Sequence, residues 1–204
     1  MDSNFDFRAC SWTPTIEVET SRGNREINLK TKHLGNGKIF LTGEITDETA
    51  NDFVSEFLYL VSEGKSIDIY LNSPGGSVNA GLVIYDMIQS AISKVDINIY
   101  CIGRAASMGA VILAGGPKGK RYIMPHSEVM IHEPLMKGGA GGSATSIKNT
   151  AESILKTKSI INGILAEHTG KTDEEIDKAT AFDNYMTAKE AIEFGLCDEI
   201  RNPI

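Results

Sequence analysis

Cysteine and tryptophan are scarce in this sequence, with three of the first and one of the second among 204 residues. Cys10, Cys101 and Cys197 form an odd number with no C-x-x-C spacing, so they read as buried free thiols. The four histidines (His33, His126, His132, His168) do not cluster with them at ligand spacing, which leaves no expected metal site. No apolar run approaches the roughly 18 residues of a membrane span. Positive charge is in deficit: the formal charge is −7. No basic run of five residues offsets it, which argues against nucleic acid or an anionic membrane as partner. The opening "MDSNFDFRACSW" is charged and lacks an apolar h-region, so no secretory signal is expected and the cytoplasm is the default location. Internal repeats, proline-rich linkers and low-complexity tails are also missing.

What is present fits a soluble α/β domain. Hydrophobic residues make up 41% and charged residues 23%, ordinary proportions for a globular chain, and the length suits a single domain. The first 35 residues are polar and β-leaning. A turn at Gly35-Asn36-Gly37 leads into a strand over 38–42. A helix is predicted from about Asp47 to Val61, with Phe53, Phe57, Leu60 and Val61 at helical spacing. Strands at 66–71 and 96–103 alternate with helices at 78–92 and 107–116, around the loop "NSPGGS" (72–77). Short strands at 120–125 and 128–134 are each ended by proline. This alternation predicts a buried, largely parallel sheet. From about Ser143 to His168 runs a single helical pattern about 37 Å long at 1.5 Å per residue. Its apolar stripe comprises Ile147, Ala151, Ile154, Leu155, Ile161 and Leu165, widened by Ile160 and Ile164. Such a helix either crosses the domain or projects from it. Thr187-Ala188-Lys189-Glu190 is a capping-box pattern for the last helix, and Gly195 is its stop.

Four features can carry chemistry, and each has a plain alternative. Ser107 stands between a strand and a helix among small neighbours, which suits either a nucleophile elbow or close packing. His132 lies where Pro134 ends a strand, a position of catalytic groups and of hydrogen-bonded core histidines alike. His126 and His168 are weaker candidates, the latter suited to the dipole at a helix C-terminus. Asp183, in an irregular segment between two helices and flanked by Phe182 and Tyr185, either orients an imidazole or makes a turn. The glycines of "NSPGGS" can aim backbone amides at an oxyanion or simply form a turn. The loop lacks the endings of phosphate-binding motifs.

Taken together, "NSPGGSV", "GRAASMGA", "GPKGKRY", "MIHEPL" and "DNYMTAKEAIEFGLCDEI" resemble, in order and spacing, the ClpP family, the proteolytic subunits of Clp proteases (peptidase S14). The resemblance covers about residues 14–200. It implies a ClpP/crotonase-like α/β spiral with a protruding handle helix. One domain spans 1–204: an axial segment (1–35), a head (36–136 and 170–204) and a handle (137–169). It further implies a serine endopeptidase with Ser107 as nucleophile, His132 as base and Asp183 as orienting acid. The backbone amides of Gly76 and Met108 would form the oxyanion hole. Two stacked heptameric rings would enclose the sites, in a homo-oligomer or in a barrel shared with a second subunit type. An AAA+ unfoldase would dock at a cleft including Tyr70, Tyr100, Ile102, Tyr122 and Met124. It would feed unfolded polypeptide as part of protein quality control. No cofactor is implied for this chain, since ATP is used by the unfoldase.

The sequence departs from the family's pattern in four places. Asp68 falls where an aromatic residue is common, and "EINLKTKHLGNG" replaces a more apolar element. "GGAGGSATSI" lacks the glutamine and acidic residues usual in the handle loop, and Phe182 stands where arginine is usual. These predict a divergent member with an altered double ring. The competing readings are a catalytically silent chamber subunit and, remotely, a crotonase-type acyl-CoA enzyme.

Overall fold

Isoleucine alternates with polar residues along "SIDIYL" and "DINIYC", and Ile67, Ile69, Ile97 and Ile99 are all buried at the centre of a sheet. Such β-branched alternation suits a pleated strand with one face packed on the core and the other, carrying Asp68 and Asn98, only half-buried. The computed structural model describes residues 14–20, 23–135 and 141–203. In chain order the elements are β1 (Thr15–Thr20), β2 (Gly23–Asn28), α1 (Leu29–Gly35), β3 (Lys38–Thr42), α2 (Asp47–Ser62), β4 (Ile67–Ser73), α3 (Val78–Ala91), β5 (Ile97–Ala106), α4 (Met108–Ala114), β6 (Arg121–Ile123), β7 (Glu128–Ile131), α5 (Ala144–Thr169), α6 (Asp173–Thr180), β8 (Asn184–Thr187), α7 (Ala188–Phe194) and β9 (Glu199–Ile200). The segment "MDSNFDFRACSW" with Cys10, and the first part of the glycine-rich lead into α5, lie outside the described residues.

Seven strands form the main sheet, with β3, β4, β5, β6 and β9 parallel in that order. The long β5 changes partner along its length. Ile99–Cys101 pair with β6, whereas Arg104–Ala106 pair with β7. β8 then runs antiparallel to β7. Helices α2, α3 and α4 cover the sheet, and Phe53 and Phe57 stack at 5.3 Å beneath it. Truncating the fully buried Phe57 to alanine would cost about 3–5 kcal/mol.

Local signals set the helix starts. Thr46, Thr172 and Thr187 each cap a helix reciprocally with Thr49, Glu175 and Glu190. Gly195 closes α7 in the left-handed region, as the sequence predicts. Among the described residues no helix is long and apolar enough to cross a membrane.

Five expectations need correction. The first 35 residues are not β-leaning throughout: they end in α1, which Asn28 caps by accepting from the Lys30 amide at 2.7 Å. β4 runs on to Ser73, so the glycine loop begins at Pro74, not Asn72. β5 continues three residues past Gly103. Asp183 does lie between two helices, α6 and α7, but the segment is not wholly irregular: Asp183 directly precedes the short strand β8. The apolar stripe of α5 is buried only near its C-terminal end, at Ile161 and Leu165, while Leu155 is 63% exposed. The N-terminal part of that helix, about residues 144–153, therefore stands clear of the domain.

Candidate active site

Strand register alone brings three side chains together. Ala106 on β5 is paired with Met130 on the parallel β7, and the Ser107 amide donates to the Met130 carbonyl at 2.8 Å. Ser107 and His132 therefore leave the sheet side by side at the carboxyl ends of adjacent strands, where open α/β sheets place their sites. Ile131 is paired with Asn184 on the antiparallel β8. That pairing sets Asp183 opposite His132. The resulting distances are 3.0 Å from Ser107 Oγ to His132 Nε2 and 3.0 Å from His132 Nδ1 to Asp183 Oδ1. With Nδ1–H donating to the carboxylate, Nε2 is the lone-pair nitrogen that accepts the Ser107 hydroxyl proton.

Ser107 is held in an unusual backbone conformation, φ 53° and ψ −121°, and is the one non-glycine residue of positive φ among those described. It occupies the N-cap position of α4 without a side-chain cap bond, so its hydroxyl points to His132 and not to the helix. Strain of this kind costs on the order of 1–3 kcal/mol and persists only where neighbours enforce it. The Ser107 amide bond to Met130 is one such constraint, and the packing of Gly75 is another. A Cβ on Gly75 would stand 2.6 Å from Ser107 Cβ and 2.7 Å from the Ala106 carbonyl oxygen.

The glycine loop is fixed from beneath. Buried Ser73 donates its hydroxyl to the Gly43 carbonyl at 2.6 Å and accepts the Gly75 amide at 3.1 Å. Ile45 brackets the next residue, donating to the Gly75 carbonyl and accepting from the Ser77 amide, both at 2.8 Å. The Gly76 amide is passed over by this ladder, and the Met108 amide opens α4. Neither has an acceptor among the described residues. Beside Ser107 and His132 an apolar cavity of about 20 Å³ is lined by Val78, Met108, Val111, Ile131, Ile161 and Leu165. As it stands it has room for little more than a water.

The exposures within the chain are uneven. The His132 side chain is 15% exposed, that of Asp183 55%. Phe182 and Tyr185, which flank the acid in sequence, are themselves 86% and 58% exposed, so the carboxylate is not held among aromatics.

The remaining candidates lie elsewhere. His126 is exposed in the turn before β7. His168 bonds the Tyr85 hydroxyl through Nε2 at 2.8 Å, and burial pushes its pKa below the usual histidine range. Tyr70, Tyr100 and Tyr122 stack in sequence across β4, β5 and β6, at 5.6 and 4.9 Å, with Phe40 joining at 5.0 Å. Ile102 and Met124 are half-buried in the same region of sequence. Asp68 accepts from the Asn98 amide nitrogen at 2.8 Å beneath this ladder. Sequence reasoning missed Phe40, whose i, i+2 alternation with Lys38 was the available signal, and Ser73. Among the described residues no group of three or more His, Cys, Asp or Glu is placed to hold a metal. Burial raises the Cys101 thiol to about 11 and the Cys197 thiol to about 12.

A mostly parallel α/β sheet with a serine, a histidine and a carboxylate hydrogen-bonded in series at its strand ends defines the class of α/β serine hydrolases. Comparison with known families narrows this: residues 21–203 match the Clp protease family. The chain belongs to that family and is a serine peptidase of the ClpP kind. Members of the family generally form oligomeric rings that work with Clp unfoldases.

Proposed function

We propose that the chain is an endopeptidase subunit in which Ser107 attacks the peptide carbonyl, His132 takes its proton and Asp183 holds the imidazole. The observation that carries this is the unbroken Ser107–His132–Asp183 hydrogen-bond series on a strained serine. As the tetrahedral oxyanion forms, the amides of Gly76 and Met108 donate to it. His132 then protonates the leaving amine, and water, activated by the same imidazole, releases the acyl-enzyme. The apolar cavity takes a side chain of the substrate, with Ile161 and Leu165 of α5 giving way to admit it.

In the assembly we infer two stacked heptameric rings in the cytoplasm. Residues 36–136 and 170–204 form the head, 137–169 the handle at the ring–ring contact, and 1–35 the axial segment. An AAA+ unfoldase would dock over the tyrosine ladder with Ile102 and Met124, and thread unfolded protein to the sites for quality control. ATP is consumed by that partner.

A second reading is favoured by one observation, the half-exposed carboxylate of Asp183 beside exposed Phe182. Solvent weakens a carboxylate's hold on an imidazole. The isolated subunit would then be weakly active or silent, and gain activity only when a second subunit type covers this edge. Fluorophosphonate labelling of the purified protein, alongside native mass and short-peptide hydrolysis, separates the two. Labelling of wild type but not of Ser107→Ala, in a homo-oligomer that hydrolyses peptide, supports the first. No labelling until another subunit is added supports the second. Asp183→Asn should lower kcat by about 10²–10⁴-fold by favouring the wrong tautomer.

A further inference from the structure

The helix α5 reaches the Ser–His–Asp series by a route the peptidase reading does not use. Lys158, on α5, places Nζ 3.0 Å from Glu133 Oε2 and 2.7 Å from Asp177 Oδ1. Glu133 directly follows His132 in sequence. Asp177 sits on α6, whose last residue, Thr180, is three residues short of Asp183. One ammonium thus bridges the segment that carries the histidine and the segment that carries the acid.

Further bonds run the same way. The Glu133 amide donates to the Thr180 carbonyl at 2.7 Å, and Asn184 Nδ2 to the Ala179 carbonyl at 3.1 Å. One turn beyond Lys158, Asn162 Nδ2 approaches Asp177 Oδ1 at 3.4 Å. The Lys158 side chain is 21% exposed, although Glu133 and Asp177 are 41% and 60% exposed, whereas Lys148 of the α5 pair Lys148–Glu152 stands 75% in solvent. Its two bonds, to Asp177 first and then to Glu133, raise its pKa above the usual lysine value, so the ammonium stays charged. Three residues along the same helix, Ile161 lines the cavity beside Ser107. Seating α5 therefore sets both the wall of the cavity and the clamp on the two segments.

We propose that Lys158 is a positioning residue: shared between Glu133 and Asp177, it holds His132 and Asp183 in register and makes their alignment depend on the seating of α5. Without it, two carboxylates face each other across the joint, together with Asp173 and Glu174 of the same groove and with Lys178 as the remaining cation. Repulsion would open the joint, and a 1 Å displacement of a catalytic group can cost about 10²-fold in rate.

The inference rests on the serine-peptidase reading, and the experiment keeps the two apart. Wild type, Lys158→Met, Lys158→Arg and Ser107→Ala are compared as purified assemblies. The readouts are native mass, the second-order rate of fluorophosphonate labelling, and kcat and KM on a short apolar peptide. Lys158→Met should lower kcat and the labelling rate together, by about tenfold or more, with KM within about twofold and native mass unchanged. Lys158→Arg, which keeps the charge, should recover most of the loss. Equal labelling rates for wild type and Lys158→Met overturn the inference alone. So does loss of native mass in step with activity, which would make Lys158 an assembly residue, or failure of arginine to rescue. A wild-type chain that is never labelled removes the peptidase reading and the inference with it.

Discussion

Gly75 runs so close to Ser107 that a side chain on the glycine would occupy the space of the serine's own Cβ. The contact is tight because both residues come from strand ends, β4 and β5, and because Ser73 pulls the Gly75 amide down into the sheet. Gly75 also has φ +90°, a conformation that side chains disfavour.

Gly75→Ala should therefore displace Ser107 or the loop, or both. We expect peptide hydrolysis to fall by about 10²-fold or more, the scale of losing one oxyanion donor. Unchanged kcat in this variant would show that the loop takes no part in the reaction.

Strain at Ser107 makes a second prediction. Ser107→Ala and Ser107→Gly both remove the hydroxyl and should both abolish hydrolysis and labelling. Only glycine relieves the φ of 53°. After its larger unfolded-state entropy is set against that relief, Ser107→Gly should be more stable than Ser107→Ala by about 1 kcal/mol. Urea denaturation of the two variants measures the difference, and a more stable alanine variant would mean that the serine is unstrained.

Arg121 and Asp198 form a nearly buried pair, with Nη2 2.6 Å from Oδ1 and Nε 2.9 Å from Oδ2. The same guanidinium donates to the carbonyls of Ala114 and His168, tying the ends of α4 and α5 together. Arg121→Met leaves the carboxylate unpaired and should destabilise the protein by about 3 kcal/mol. Burial pushes the Asp198 carboxyl up, but its bonds to Arg121 outweigh that and hold it below its ordinary value. The pair's contribution is thus complete above the unfolded carboxylate pKa of about 4 and disappears as pH falls through the lower folded value. In Arg121→Met the acid-side fall in urea midpoint from this group should vanish.

His168 gives the opposite kind of group the same sign. Burial, beside the Tyr85 hydroxyl, lowers the pKa of its imidazole below the usual histidine value. Below about pH 6.5 the unfolded chain takes up a proton that the folded one resists, so stability declines as pH falls through that range. His168→Gln, which keeps a polar group for Tyr85, should flatten the decline. A midpoint that falls as steeply in the variant would assign the effect to other histidines.

Much of this was legible because it is local. The periodicity of Phe53, Phe57 and Leu60 sets α2, and the Thr187–Glu190 box with Gly195 sets α7 to the residue. Ser107 and His132 could be found as strand-end residues, yet neither could be told from packing, because the decision lies in β5 extending to Ala106 and in a backbone angle that no residue type encodes. The short strand beside Asp183 escapes a sequence reading for a related reason. The strand after it has four residues, Asn184–Thr187, with Met186 alone buried, and it exists through pairing with β7. Four residues carry too little period to register. The stripe on α5 misled in the other direction: Ile147, Leu155 and Ile160 have helical spacing but remain exposed. Lys158 bridges segments 25 and 19 residues away in sequence, at Glu133 and Asp177, and no local pattern reports it.

The exposed length of α5 has a thermodynamic consequence. Of its 26 residues, those buried are Ile161, Asn162 and Leu165, near one end. A helix of some 12–15 residues without tertiary support is marginal in water. Protection of backbone amides against hydrogen exchange in the lone subunit should therefore decay from Leu165 toward Ala144. Any surface that comes to cover Ile147 and Leu155 must then complete the winding of the helix as it binds. Association at this end is a folding reaction as well as a docking one, and its rate and temperature dependence should carry the heat-capacity signature of both.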